Sequence, residues 1–239
     1  GRMDYLFALQ QELDMYKIIQ TKITACDTEI EKMLSKIIEQ DDNKRQHYID
    51  KKSHKRINKN TPKNIDLNIV GYQYFEGVDL MEIEGFSHGT ILHLISEVGL
   101  EGIKKFQTAK QFASWLRLAP NNKKTGGKII SSKVPKGSNR LKIALRNAAN
   151  AIGNLKDSTP LRDFFQRINF KKGRVSAISA TARKLAVIVW NMVTKGTRYI
   201  NPEGYLFLDQ KRKLGLVKRI QKQIDKFGLT KEQIQLTTN

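Results

Sequence analysis

Pro120-Asn121-Asn122-Lys123-Lys124-Thr125-Gly126-Gly127-Lys128 stands between two helical patterns, and the rest of the chain is organised around it. It runs on through Ser131-Ser132-Lys133-Val134-Pro135-Lys136-Gly137 to a helix that opens near Ser138-Asn139-Arg140 and carries Lys142 and Arg146. From Gly102 to Lys156 there is no Asp or Glu, while Lys and Arg recur throughout. A hydroxyl before two glycines, among cations and just ahead of a helix N-terminus, is able to hold a phosphodiester. Glycines let backbone N–H groups approach a phosphate, lysines neutralise it, and the positive end of a helix favours it. A solvated basic loop has the same composition, so both readings stay open on these residues alone.

The 239 residues carry 43 Lys and Arg against 23 Asp and Glu, a formal net charge of +20. So basic a balance points to a polyanionic partner, with nucleic acid first and a membrane surface second. No apolar run approaches the length of a membrane span, and no signal-peptide pattern is present. The single Cys26 excludes an internal disulfide and fits a reducing compartment. Four scattered histidines and one cysteine form no zinc pattern, and no metal ligands are assigned.

Residues 4 to about 40 read as one long helix. Leu6, Leu9, Leu13, Tyr16, Ile19, Ile23, Cys26, Ile30, Met33 and Ile37 follow three-four spacing with one slip, which is a coiled-coil seam. Thr28-Glu29-Ile30-Glu31 matches a capping box, so a break near Asp27 is an alternative. The seam pairs either with another subunit, which its narrow stripe favours, or with its own chain. Lys44 to Asn60 is basic and reads equally as a linker or a nucleic-acid contact. Thr61-Pro62 marks a boundary. Asp66 to Tyr74 is ambiguous between a short helix and irregular structure.

Val78 to Thr90, with Gly85 at a tight turn, precedes an amphipathic helix carrying Ile91, Leu92, Leu94, Ile95 and Val98 and ending at Gly99. Helix, glycine turn and helix resemble the helix-hairpin-helix module, which grips phosphate through backbone N–H groups without reading sequence. An ordinary helix-turn-helix packing unit is the alternative. A helix over 106–116 has Thr108 as its N-cap and Phe112, Trp115 and Leu116 on its apolar face, so Trp115 reads as core rather than as a base-stacking platform. Further helices are expected over 139–155, from Thr159-Pro160, over 176–195 ending at Gly196, and over 203–227 stopping at Gly228. The basic turn Lys171-Lys172-Gly173-Arg174 lies among them. Arg183 either snorkels to solvent or contacts phosphate.

Several of these stretches together resemble a known family. They are Phe112-Ala113-Ser114-Trp115-Leu116, the Pro120-x-Asn122-Lys123-x-x-Gly126-Gly127-Lys128 loop, Asn139-Arg140, Ala148-Ala149 and Phe164-Phe165. Ile178-x-Ala180-Thr181-Ala182-x-Lys184-Leu185-Ala186 and Gly196-Thr197-x-Tyr199 extend the pattern. Their order and spacing are similar to the C-terminal half of insertion-sequence transposases of the one-ten group, closest to the eleven-eleven subgroup. The resemblance implies a DNA transposase or recombinase whose transposase domain supplies a serine nucleophile. It also implies a coiled coil leading from an N-terminal acidic domain that binds Mg2+, and a structured bridge RNA that pairs with DNA. Nothing here matches the acidic domain, so the chain is expected to be a C-terminal fragment with no cofactor of its own and inactive alone. The family's serine position is occupied by Thr125, which is therefore the expected nucleophile. Threonine has the same hydroxyl with an added methyl group, and Ser131 and Ser132 are near but out of register.

The expected architecture is all-α (mainly helical): a coiled-coil helix over 4–42, a basic linker over 43–77, a transposase domain over 78–200 with a helix-hairpin-helix-like start, and a basic helix and tail over 201–239. The residues expected to hold phosphate or nucleic acid are Gly85, Lys123, Lys124, Gly126, Gly127, Lys128, Lys133, Lys136, Asn139, Arg140, Arg146 and Arg183. The expected partners are DNA, guide RNA and further copies of the chain through the coiled coil, with no membrane and a cytoplasmic, nucleoid-associated location in a prokaryote. Two other functions share the same basic surface: a non-catalytic architectural DNA-binding protein and an RNA-binding module.

Overall fold

The computed structural model describes residues 2–38, 61–62, 64–137, 139–200 and 206–228. The basic stretch Lys44–Asn60, Ser138 at the expected helix start, residues 201–205 and those after Gly228 lie outside the described residues. The structure is mainly helical, as expected, and separates into two units, Gly1–Tyr199 and Ile200–Asn239.

Helix α1 spans Met3–Ile38 without interruption, so the alternative break near Asp27 is absent. Its apolar stripe from Leu6 to Met33 is largely exposed, and among the described residues it is its last turns that meet the body of the unit. There Leu34 is buried with Leu67 and Val70, and Ile65, Leu92 and Ile95 pack around them. The Glu31 carboxylate accepts from the backbone N–H and the side-chain amide of Asn64, at 3.0 and 3.1 Å. The far end of α1 thus folds onto its own chain, while among the described residues the rest of the stripe stays exposed.

The ambiguous stretch after Asp66 is helix α2, Leu67–Tyr74. Asp66 caps it by accepting from the Asn68 N–H at 2.9 Å. A single 3-10 turn, Leu80–Glu82, then leads through Gly85 into α3, His88–Glu97. The helix expected ahead of the glycine is therefore only one turn long. Buried His88 lies 3.1 Å from the Asn68 side-chain oxygen, fastening α3 to α2. At Val98 the backbone leaves helical geometry, and α4 (Gly99–Lys104) begins as a separate short helix.

Helix α5, Ala109–Trp115, opens on a full capping box: Thr108 accepts from the Gln111 N–H, and the Gln111 side chain accepts from the Thr108 N–H. Two short strands follow, β1 (Lys123–Thr125) and β2 (Lys128–Ser131). Helix α6 covers Arg140–Gly153, α7 covers Pro160–Lys172 behind the Thr159 cap, and α8 covers Arg174–Lys195. In the second unit α9 spans Leu206–Phe227, with Gly228 in a left-handed conformation after it.

Helix α8 is the centre of the core. Ala177, Ala182, Leu185, Ala186, Val189 and Met192 are buried on it, and α4, α5, α6 and α7 pack around it. The alanines let neighbouring helices approach closely, while Phe112, Leu141, Leu145, Leu161 and Phe165 fill the space between them. Burying each Leu or Phe contributes about 1.5–3 kcal/mol, so packing rather than helix propensity holds these short helices. The Trp190 indole N–H donates to the Phe106 carbonyl at 3.0 Å and closes one end of the core. Trp115 departs from the expected core position: it is 41% exposed, stacked on Phe112 and tilted against Phe106. Phe112 and Leu116 take the inward positions of α5, leaving the indole on the rim.

Candidate nucleic-acid interface

The expected glycine loop is a β-hairpin. Strands β1 and β2 pair antiparallel, with Thr125 opposite Lys128, Lys124 opposite Ile129 and Lys123 opposite Ser131, and the register slips between Lys123 and Lys124. Gly126 and Gly127 form the two-residue connection with φ of +53° and +75°. Positive φ at both central positions is what the tightest hairpin turn requires, and glycine meets it without strain. A Cβ at either glycine would meet nothing within 4 Å, so the turn stands clear of the body. Residues 121–128 are all exposed, and Thr125 stands beside the turn with Lys123, Lys124 and Lys128 on the same two strands. The Asn121 N–H donates to the Lys133 carbonyl at 3.0 Å, carrying the pairing toward the base.

Two cations fasten that base. The Arg117 guanidinium donates to the Lys136 carbonyl and lies where a Cβ of Gly137 would sit. The Lys142 ammonium donates to the carbonyls of Gly137 at 2.9 Å and Pro135 at 3.4 Å. Asn139 is the N-cap of α6 and accepts from the Lys142 N–H at 2.6 Å. Its side chain is thus engaged by the helix it opens. Lys142 is buried, and burial first, then the Arg146 and Arg117 charges, hold its pKa below the usual 10.5. One helical turn further along α6, Arg146 donates to the Ser179 hydroxyl of α8 at 2.7 Å. Arg183 stands one turn beyond Ser179 on α8 and is half-buried.

The structure therefore gathers Thr125, Lys123, Lys124, Gly126, Gly127 and Lys128 on one hairpin. Lys133 and Lys136 are exposed on its return, and Asn139 and Arg140 stand at the start of α6. Gly85 is placed differently: its φ is +75°, and a Cβ there would lie 2.5 Å from the Ala148 carbonyl oxygen and 2.9 Å from Ile152 Cγ1. Its lack of a side chain is accounted for by close packing on α6, about two turns from the end that meets the hairpin. Arg117 and Lys142 are the residues that sequence reasoning left out of the site. The acid-free run around them was the available signal, since a buried lysine without a carboxylate must find carbonyl oxygens instead.

A hydroxyl with several ammonium and guanidinium groups can bind, orient and neutralise a phosphodiester. They do not fit Mg2+, which takes oxygen ligands and usually carboxylates. Among the described residues no group of three or more His, Cys, Asp or Glu side chains is placed to hold a metal ion. No helix among them is long and apolar enough to cross a membrane.

Residues 79–166 match the family described as Transposase IS116/IS110/IS902. The matched segment runs from the 3-10 turn through the hairpin and α6 into α7, so it contains the hairpin, its base and the α6 cations, while Ser179 and Arg183 on α8 lie beyond it. The match supports a transposase of the insertion-sequence kind, and hence, at that coarse level, an enzyme of DNA recombination. No curated protein matches the chain.

Proposed function

We propose that this chain is the DNA-engaging part of a hydroxyl-nucleophile transposase of the eleven-eleven subgroup, and that the Thr125 hydroxyl is the attacking group. The observation that carries this reading is the exposed position of Thr125 beside the two-glycine turn of a hairpin, among lysines and within a run, Gly102 to Lys156, that has no Asp or Glu. The Thr125 oxygen bonds to a DNA phosphorus as one phosphorus–oxygen bond of the strand breaks. The strand's released oxygen takes up a proton, and a protein–DNA ester results. A 3′-hydroxyl of a partner strand later reverses the step onto a new junction.

Lys123, Lys124 and Lys128 neutralise charge that grows on the phosphate, with Arg140 and Arg146 behind them. An unactivated hydroxyl is a poor nucleophile and needs a base. No described residue of the hairpin is a carboxylate, so the proton acceptor comes from outside this surface, in keeping with the acidic domain the resemblance implies. DNA and a structured guide RNA are the proposed polyanionic partners, and further copies of the chain associate through α1.

The test is covalent capture of labelled DNA on a denaturing gel, in a chain that carries the acidic domain and is supplied with guide RNA. Thr125→Ser is expected to raise capture, since it removes the methyl group that restricts the side-chain rotor. Thr125→Ala is expected to abolish it while DNA binding persists. Equal capture by the alanine variant moves the nucleophile elsewhere, with Ser131 and Ser132 next.

A further inference from the structure

A second basic surface lies at the corner where α7 gives way to α8, away from the hairpin in sequence and outside the residues assigned so far. Phe170 is 92% exposed there, and Val175 across the turn is 72% exposed. A single apolar side chain on a surface is ordinary. This one is set among the exposed cations Arg167, Lys171, Lys172 and Arg174, and from Phe164 to Pro202 the sequence has no Asp or Glu.

The neighbouring ring shows how cations here normally use an aromatic face. Phe164 is covered by the Lys184 ammonium at 4.5 Å and the Arg167 guanidinium at 5.6 Å from its centroid. Phe170 has no such cover among the described residues, and its ring is open to solvent at 92% exposure. Gly173 closes α7 with φ of +78° and starts α8 directly. Arg174 lies over the Phe165 ring, 5.6 Å from its centroid, and donates through Nη2 to the side-chain oxygens of Asn150 and Asn154, each at 2.7 Å, which leaves Nη1 without a hydrogen bond among the described residues. An open ring on a helix corner, bordered by cations that form no ion pair among the described residues, is the combination that binds unpaired nucleotides: the ring takes a base and the cations take the flanking phosphates.

We propose that the α7–α8 corner is a binding site for single-stranded DNA, with Phe170 as the stacking platform and Lys171, Lys172 and Arg174 as phosphate contacts. Strand exchange, which the transposase match supports, leaves DNA strands transiently unpaired and supplies this ligand. The proposal rests on the nucleic-acid reading given above but not on Thr125.

The experiment measures binding of the full chain to a labelled single-stranded DNA of about 15 nucleotides, near the upper range of single-strand site sizes. The same sequence as duplex and as single-stranded RNA serves for comparison. Phe170→Ala is expected to weaken single-stranded DNA binding about tenfold. Duplex binding should stay within about twofold, and Phe170→Tyr should restore the loss. Since the side chain is exposed, matching thermal melts are expected for all three proteins. Unchanged single-strand binding by Phe170→Ala overturns the proposal and leaves the hairpin reading standing. So does an equal loss on duplex, which makes Phe170 a wedge rather than a platform, or a loss confined to RNA. A parent chain that binds none of the three probes overturns both readings.

Discussion

The Lys142 ammonium donates to the Gly137 carbonyl at 2.9 Å, tying the first turn of α6 to the segment that leads out of the hairpin. The tie makes the hairpin's position a property of the helical core, because Leu141 and Leu145 on the same helix are fully buried. Lys142→Met keeps the apolar stem and removes the donors and the charge. The carbonyls it releases reach water, so global stability should change by only about 1 kcal/mol. Hydrogen exchange at the β1 and β2 amides should accelerate. The pH dependence adds a sign. The folded pKa of Lys142 lies below 10.5, so between that lowered value and 10.5 the unfolded chain binds more protons than the folded one. Stability from this site therefore rises with pH across that window. Urea midpoints taken on both proteins up to about pH 11 should show the rise in the parent and less of it in Lys142→Met. Parallel curves would mean that burial and the Arg146 and Arg117 charges do not depress the Lys142 pKa.

Gly85 and Gly126 share a positive φ but differ in surroundings, and alanine should separate them. At Gly85 the new methyl meets the Ala148 carbonyl oxygen at 2.5 Å, so α6 has to move. At Gly126 it meets nothing within 4 Å. Gly126→Ala should cost only the left-handed backbone, about 1 kcal/mol. Gly85→Ala should cost that and about 1–3 kcal/mol more for overpacking. Chemical denaturation of both variants decides it, and equal losses would refute the close approach at Gly85.

The features legible in the sequence were those with local causes. Thr108, Thr159 with Pro160, and the glycines 196 and 228 mark helix ends through neighbouring backbone groups, and each lies where its chemistry put it. The hairpin was missed because strands of three and four residues carry no usable alternation. Gly126-Gly127, read for phosphate, is equally a two-residue turn signal. The seating of Leu34 on Leu67 and Val70 joins residues more than thirty apart, and no periodicity of α1 sets its last turns apart from the rest. The α5 stripe did not reveal which of Phe112, Trp115 and Leu116 would take the rim. The nearness of Arg117, Lys142 and Arg146 arises only once the return segment folds back over α6.

Association through α1 can be tested without disturbing the core. Leu13 and Ile23 are 43% and 46% exposed on the stripe, well before the buried turn at Leu34. Placing Asp at both should leave the melting of the helical body nearly unchanged, while buried charge at a helix–helix seam is strongly unfavourable. Light scattering is expected to give a multimer for the parent and a monomer for the double variant. A monomeric parent would leave the stripe without a partner of its own kind.

Binding at the hairpin should be read out by salt. Lys123, Lys124 and Lys128 are exposed, and none forms an ion pair among the described residues, so each is free to displace a counterion from DNA. Log affinity for duplex DNA should fall linearly with log salt, with a slope of about 0.9 for each phosphate neutralised. Replacing the three lysines by Gln should make that slope shallower, by up to about 0.9 for each lysine that contacts a phosphate. Thr125→Ala should leave the slope as it is, because it removes a hydroxyl and no charge. The two variants thus divide the hairpin into a part that binds and a part that reacts. A slope unchanged by the triple replacement would place the DNA on another face of the molecule, and a slope lowered by Thr125→Ala would mean that the threonine shapes the hairpin rather than attacking from it.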